Sequence, residues 1–371
     1  MTLDVAKDAV RYILHNMEKS GKARGSITYF GGEPTIMWDS IIVPLTKWIR
    51  ENKFPISLSM TTNGTMLDEE RLQFMKKNGI HMLLSIDGNK ETQDFNRPCG
   101  NGASSYDILS EKIPLILKYY PDVTFRGTIY APTVHLTFKN FVHACELGFK
   151  NIYLMPDCRH SWTEEQICSL RQEIGKIYEL MYSCFERGVE LINFSPMNDI
   201  FKLMLKRDAA TLKGKIEHRE VKRNCYRCGM GTSTASIGYD GSIFGCQEQT
   251  SLTEDSIFYL GNIYKEGIEE KRHINLLSTF GKLAYTKCEK EEMCESCILK
   301  NICVGFNCPS SAYDLYEDFH ISPEITCLWR QWLLEEAIFM NNKLVEQDNQ
   351  VFKKYLEDKC NFPKGVDKHG M

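Results

Sequence analysis

Apolar positions recur along the first 155 residues in two alternating rhythms. Leu3, Val5, Ala6, Ala9, Val10, Ile13, Leu14 and Met17 fall at helical spacing within residues 2–20. Residues 26–30 (SITYF) then read as a short buried strand. The exchange repeats as a helix over 38–52, a strand over 56–61, a helix over 67–78 and a strand over 80–86. A helix over 104–119, a strand over 123–130, a helix over 138–147 and a strand over 151–155 complete the series. Strand then helix, joined by short connections, predicts the α/β class: a parallel sheet with crossover helices. In such sheets the C-terminal ends of the strands carry the site.

Polar punctuation falls at those ends. Gly31-Gly32-Glu33-Pro34 follows the first strand, Thr62-Asn63-Gly64 the second, and Ser85-Ile86-Asp87-Gly88 closes the third. Arg126 lies within the fourth strand and Asp157 follows the fifth. Paired glycines let the backbone turn tightly and approach a ligand. Glu33 there is placed to accept bonds from an ammonium group, or simply to sit near a helix N-terminus. Asn-Gly and Asp-Gly are ordinary turn dipeptides. Their repetition at successive strand ends predicts a ring lining a site. Tyr29, Tyr130 and Asp157 are placed at the core or rim of a cavity.

Beyond residue 158 the pattern changes. Helical spacing returns over 163–188 and 196–206, and 206–223 is a basic, polar bridging stretch. Thr232–Tyr239 and Ser242–Cys246 read as a hairpin around Asp240-Gly241. A helix with Trp329, Trp332, Leu333 and Ala337 follows Cys327, and residues 346–371 read as a polar, loosely held tail. The 371 residues exceed the roughly 250–300 at which single cores stop growing, so two domains are expected. A net charge of −4 argues against a nucleic-acid or membrane-surface protein. No apolar run approaches a membrane span, and the N-terminus does not read as a signal peptide. That points to a cytoplasmic protein, in which dense cysteines mean metal rather than disulfides.

Nine of the fifteen cysteines lie between Cys225 and Cys327. Their order is Cys225-x2-Cys228-x12-Gly241-x4-Cys246, then Cys288, then Cys294-x2-Cys297-x5-Cys303-x4-Cys308, then Cys327. Four thiolates around one centre suit an iron–sulfur cluster or zinc. Eight of the nine fill two such sites and leave Cys288 over. Their spread over about 100 residues favours clusters over a compact zinc ribbon. The other six cysteines (Cys99, Cys145, Cys158, Cys168, Cys184 and Cys360) have no ligand spacing and read as small buried hydrophobes. The scattered histidines, His160 among them, form no evident ligand or triad pair.

GGEPTI, MTTNG and LLSIDGNKETQDFNR resemble the core of radical S-adenosylmethionine enzymes, and the cysteine block resembles their SPASM extension. The likeness covers residues 1–340 and departs at Cys303-x4-Cys308, one residue longer than usual. It implies an incomplete (β/α)6 partial barrel over 1–160, a helical connector over 161–223, a SPASM domain over 224–340 and a tail over 341–371. By the resemblance Cys225, Cys228, Cys246 and Cys308 hold one auxiliary 4Fe–4S cluster. Cys294, Cys297, Cys303 and Cys327 hold the other. Gly31, Gly32, Glu33 and Pro34 meet the amino group of S-adenosylmethionine, while Ser85 and Thr62, Asn63 and Gly64 lie near its carboxylate and ribose.

Relatives of this kind bind a catalytic cluster through Cys-x3-Cys-x2-Cys, a spacing absent from these 371 residues. The first strand and its loop are expected to be missing, by truncation or as a natural remnant. A catalytic cluster is expected only with an upstream segment. The resemblance implies a maturase that crosslinks a ribosomally made precursor peptide through a 5′-deoxyadenosyl radical, supplied with electrons by flavodoxin or ferredoxin. The chain as given is expected to be inactive. Sulfatase-maturing relatives carry Asp after the cysteine at the position of Cys246, where this chain has Gln247. A sulfatase-maturase-like enzyme and a non-catalytic iron–sulfur protein for electron transfer or peptide binding are the alternatives.

Overall fold

The computed structural model describes residues 1–189, 192–212, 229–250, 253–281, 287–288, 291–297, 299, 308–319 and 321–360. Its centre is a six-stranded parallel sheet in sequential order: β1 (Gly25–Tyr29), β2 (Ile56–Thr62), β3 (Ile80–Ser85), β4 (Thr124–Ile129), β5 (Asn151–Pro156) and β6 (Asn193–Phe194). Helices α1 (Leu3–Lys19), α2 (Val43–Glu51), α3 (Glu69–Lys77), α4 (Lys90–Asn96), α5 (Ser105–Ser110), α6 (Ile113–Tyr119), α7 (Thr137–Glu146), α8 (Glu164–Glu186) and α9 (Ser195–Leu212) alternate with the strands. This is the expected α/β partial barrel, with β6 and α4 added to the expected elements.

The strands have two unlike faces. Leu58, Met60, Leu84, Phe125, Ile152 and Leu154 are buried against the helices. The register sets Thr28, Ser59 and His81 in one row on the other face, and Ser85, Arg126 and Tyr153 in another. A parallel sheet covered on both sides would read as apolar throughout. The polar face belongs to the hollow side of an open barrel. There Thr28 and Ser59 hydroxyls share a 2.7 Å bond, and the Arg126 guanidinium lies 4.4 Å from the Tyr153 ring centre.

Two helices differ from their expected form at prolines. The helix expected over 104–119 is two helices, α5 and α6, and Pro114 sits in the first turn of the second. Proline lacks an N–H and favours the start of a helix over its interior. The stretch 38–52 opens as a wide π turn, Trp38–Ile42, before Pro44 in the first turn of α2.

The cysteine-rich part has smaller elements. Strands β7 (Ser236–Ile237), β8 (Ser242–Phe244), β9 (Tyr259–Asn262) and β10 (Gly267–Ile268) form an antiparallel sheet in the order β10-β9-β8-β7. The expected hairpin is β7–β8, and Gly241 turns it with φ of +85°. Any Cβ there would lie 2.9 Å from Ile263 Cγ1. Helices α10 (Glu270–Gly281), α11 (Glu291–Glu295) and α12 (Pro309–Tyr316) follow, with the short parallel pair β11 (Lys287–Cys288) and β12 (Ile321–Ser322). Helix α1 touches this sheet, since Ile268 N–H donates to the Tyr12 hydroxyl (3.2 Å) and Tyr264 donates to Asp8 (3.1 Å).

The chain ends in α13 (Glu324–Glu346) and α14 (Gln350–Cys360). Tyr178, Phe185, Phe201, Trp329, Leu333, Met340, Phe352 and Leu356 belong to the same continuous core as the barrel strands. The expectation of a loosely held tail is therefore corrected over 346–360, where α14 buries Phe352, Tyr355, Leu356 and Cys360. Residues 361–371 lie outside the described residues.

Candidate active site

The turns at the C-terminal ends of β1 and β2 are knotted together by one carboxylate. Glu33 accepts from the Thr35 backbone N–H (3.1 Å), the Thr35 hydroxyl (2.5 Å), the Thr62 hydroxyl (2.8 Å) and the Asn63 backbone N–H (2.8 Å). Charge-assisted bonds of this kind are the stronger class. Thr62 passes the tie on by accepting from Gly64 N–H (3.0 Å), and Asn63 accepts from the Thr65 N–H and hydroxyl. Of the two readings of Glu33, a partner for an ammonium group or a residue at a helix N-terminus, the structure shows the second: it caps the short helix Pro34–Met37, and most of its acceptor capacity holds the rim in shape. Gly31 and Gly32 border open space, for a Cβ on either would meet nothing within 4 Å. Ser85 sits half-buried on the hollow face in register with Arg126. The structure thus brings Gly31, Gly32, Glu33, Pro34, Thr62, Asn63, Gly64 and Ser85 to one end of the sheet.

Asp87 does not line the cavity. It is buried and holds Arg97 in a two-point pair (2.9 and 3.0 Å) while accepting from Thr128 N–H (2.9 Å). The Thr128 bond continues the short β3–β4 pairing past its C-terminal end. Tyr29 is likewise core, sharing a bond with Thr46 (2.9 Å). Asp157 is at the rim as expected, and it has a partner that the sequence did not disclose. One of its oxygens bonds His160 Nδ1 and the other accepts from Arg159 N–H (3.1 Å). The His160 ring stands edge-on to Tyr130 at 5.3 Å and is mostly exposed. An imidazole fixed at one nitrogen by a carboxylate presents the other for proton exchange.

Arg159 joins this rim to the cysteine-rich part. Its guanidinium reaches Glu248 (3.2 Å), the Ser311 hydroxyl (3.3 Å) and Asp314 (3.9 Å). Burial opposes its charge, but the Glu248 and Asp314 carboxylates outweigh that and hold its pKa above the usual range. Gln249 bonds both Ser310 and Asp314. Glu248 and Gln249 follow Cys246, and Ser310 and Ser311 follow Cys308. The segments of Cys246 and Cys308 are therefore adjacent.

A second convergence lies on α13. Gln331 is one helical turn beyond Cys327 and so shares its face. Gln331 donates to Cys297 Sγ (3.2 Å), as does Leu299 N–H (3.4 Å). Cys297 is thereby set against the face that carries Cys327. Cys246, Cys294, Cys297, Cys308 and Cys327 are all half-buried, and Cys225, Cys228 and Cys303 lie outside the described residues. Among the described residues no three His, Cys, Asp or Glu are grouped to hold a metal. Thiols as the donor set, and N–H bonds to sulfur, fit iron–sulfur ligation. Sequence reasoning missed Arg159 and Gln331 because their partners are remote, and it missed the His160 pair because Asp157, three residues earlier, was read only as a core or rim residue.

An α/β sheet with a polar hollow and a knotted C-terminal rim defines the class, and comparison with known proteins agrees. Residues 4–155 match the Radical SAM superfamily. The radical SAM cyclopropyl synthase TigE of Paramaledivibacter caminithermalis is 23% identical over 69% of this chain, which spans 50% of that relative's length. A cysteine-type anaerobic sulfatase-maturating enzyme of Clostridium perfringens is 23% identical over 81% of this chain and 78% of its own. Among solved structures, native anSMEcpe with bound AdoMet and Cp18Cys peptide matches with a TM-score of 0.67 at 19% identity, over 95% of this chain and 92% of that one. Streptococcus suis SuiB bound to precursor peptide SuiA matches with a TM-score of 0.52 at 16% identity, over 87% and 69%. The family implies S-adenosylmethionine and iron–sulfur clusters as cofactors. No helix among the described residues is long and apolar enough to cross a membrane.

Proposed function

We propose that this chain is a peptide maturase of the radical S-adenosylmethionine type, with a barrel part and an auxiliary-cluster part. Its substrate is a ribosomally made precursor peptide, in which it forms a thioether or similar crosslink. The observation that carries the reading is the convergence at one mouth of the Glu33-knotted rim, the Asp157–His160 pair and the Cys246 and Cys308 segments.

In this reading Gly31–Pro34, Thr62–Gly64 and Ser85 hold S-adenosylmethionine, and the Glu33 knot lowers the ordering cost of binding by fixing the turns beforehand. Cys225, Cys228, Cys246 and Cys308 hold one 4Fe–4S cluster, and Cys294, Cys297, Cys303 and Cys327 the other. When bound with a catalytic cluster, S-adenosylmethionine supplies a carbon radical that takes a hydrogen atom from the peptide. Joining an S–H to a C–H removes two hydrogens. One leaves as that atom, and the other would leave as a proton, a 4Fe–4S cluster held by the cysteine block being the acceptor that would take the remaining electron. His160, oriented by Asp157, takes the proton. Flavodoxin or ferredoxin supplies the reducing electron, and the cytoplasm is the compartment.

The test is 5′-deoxyadenosine formed under dithionite in strict anaerobiosis. The 371 residues lack Cys-x3-Cys-x2-Cys, so this chain alone is expected to form none. A chain extended upstream through such a motif is expected to form it and to crosslink its peptide. Turnover by the chain alone, abolished in Glu33→Ala, would contradict the ligand assignment. No product from either would favour a non-catalytic iron–sulfur protein. The match to the sulfatase-maturating enzymes favours a second reading as a maturase of that type, and Gln247 speaks against it. Oxidation of a sulfatase-derived Cys peptide by the extended chain would decide for that reading.

A further inference from the structure

We propose that Arg159 is a positioning residue for the first auxiliary cluster, through which the barrel mouth sets that cluster's geometry and potential. This rests on the reading that Cys246 and Cys308 serve one cluster. Glu248 lies two residues after Cys246, and Ser311 and Asp314 lie three and six after Cys308. Arg159 contacts all three from the end of β5, at 3.2, 3.3 and 3.9 Å. Its own backbone N–H is tied to Asp157 (3.1 Å), and the Trp162 indole donates to the Asp157 carbonyl (2.8 Å). Asp157 therefore fixes both His160, which faces the mouth, and the root of Arg159, which faces the cysteines.

The guanidinium has two roles in this arrangement. Its fork spans both cysteine segments, a geometry an ammonium does not reproduce. Its charge offsets two carboxylates that otherwise stand beside the cluster. An ordinary exposed ion pair contributes little to stability. Arg159 is about two-thirds covered and sits among ligand-bearing segments. Removing it leaves Glu248 and Asp314 uncompensated, which disfavours adding an electron to the nearby cluster.

The experiment compares the reconstituted wild-type chain with Arg159→Met, Arg159→Lys, Arg159→Met/Glu248→Gln and Cys308→Ala. Iron content and both cluster midpoint potentials are read by an anaerobic redox titration followed by paramagnetic resonance. Arg159→Met is expected to lower one potential and leave the other in place. Loss of that one cluster, with the second unchanged, supports the proposal equally. Arg159→Lys is expected to recover the potential but to bind the cluster less completely, and Glu248→Gln to restore part of the loss in Arg159→Met. Two unchanged potentials with full iron, or two that move together, overturn the proposal. If Cys308→Ala keeps both clusters, the underlying assignment fails. If it loses one cluster while Arg159→Met changes nothing, only the role of Arg159 fails.

Discussion

The barrel and the cysteine-rich part hold themselves together by different means. Barrel strands β1–β5 run five to seven residues, and their helix-facing side chains join a core that continues through α8, α9, α13 and α14. In the cysteine-rich part the strands run two to four residues. Its separate buried cluster is Met230, Ile243, Phe258, Leu260, Leu276 and Phe319, with Tyr12 of α1 packed against it. A core of that size, counted over the described residues, supplies little stability by itself. The contrast teaches that, among the described residues, the barrel is held by burial, whereas the cysteine-rich part is tied on through Arg159 and α1, and in the proposed reading bound metal adds to these.

The contrast breaks first at a ligand. Cys294→Ala is expected to remove a cluster and expose residues 229–327 to protease while the barrel stays folded. A four-thiolate structural metal contributes on the order of 10 kcal/mol to the fold it organises. Cys145→Ala, a barrel control, costs about 1 kcal/mol and keeps all visible absorbance. Equal losses in both variants would erase the distinction.

The second break is in the barrel. Phe125, fully buried on β4 and edge-on to Phe149 at 5.2 Å, fills the sheet–helix interface. Phe125→Ala is expected to cost about 3–5 kcal/mol in denaturant unfolding followed by far-ultraviolet dichroism. Cluster absorbance per folded chain should not change, and a bleached cluster in the folded variant would show that the two parts are not separable.

The smallest effect sharpens the picture at the β7–β8 turn. Asp240 accepts from the Ser242 N–H (3.0 Å) and hydroxyl (2.9 Å). Partial burial raises its pKa, but those bonds outweigh it and hold the carboxyl below the usual range. A carboxyl depressed on folding contributes stability that is complete above the ordinary aspartate range and is lost as pH falls through the folded value. Asp240→Asn is expected to cost on the order of 1 kcal/mol at neutral pH and to flatten the acid limb of the stability profile. An acid limb identical to wild type would assign that dependence to other carboxylates.

The same division explains what was legible in the sequence. The barrel strands announced themselves because five or more residues alternate against turn signals, and β6 did not because it has two. The helical spacing of Phe352, Tyr355, Leu356 and Cys360 was present in the sequence, yet the polar composition around it masked α14. The spacing of the cysteines within their block was visible. Its attachment was not, since Arg159 meets Glu248 and Ser311 across 89 and 152 residues. Asp87 shows the opposite error: Asp-Gly reads as a rim turn, and only the fold reveals Arg97 and Thr128 as its partners.

The central claim is that the cysteine block is organised by two 4Fe–4S clusters, and metal analysis tests it most directly. The full 371-residue chain, reconstituted anaerobically, is predicted to hold about eight irons and eight sulfides with broad visible absorbance, falling to about half in both Cys308→Ala and Cys327→Ala. Stoichiometric zinc without visible absorbance, or iron that is unaffected by either substitution, would contradict the account.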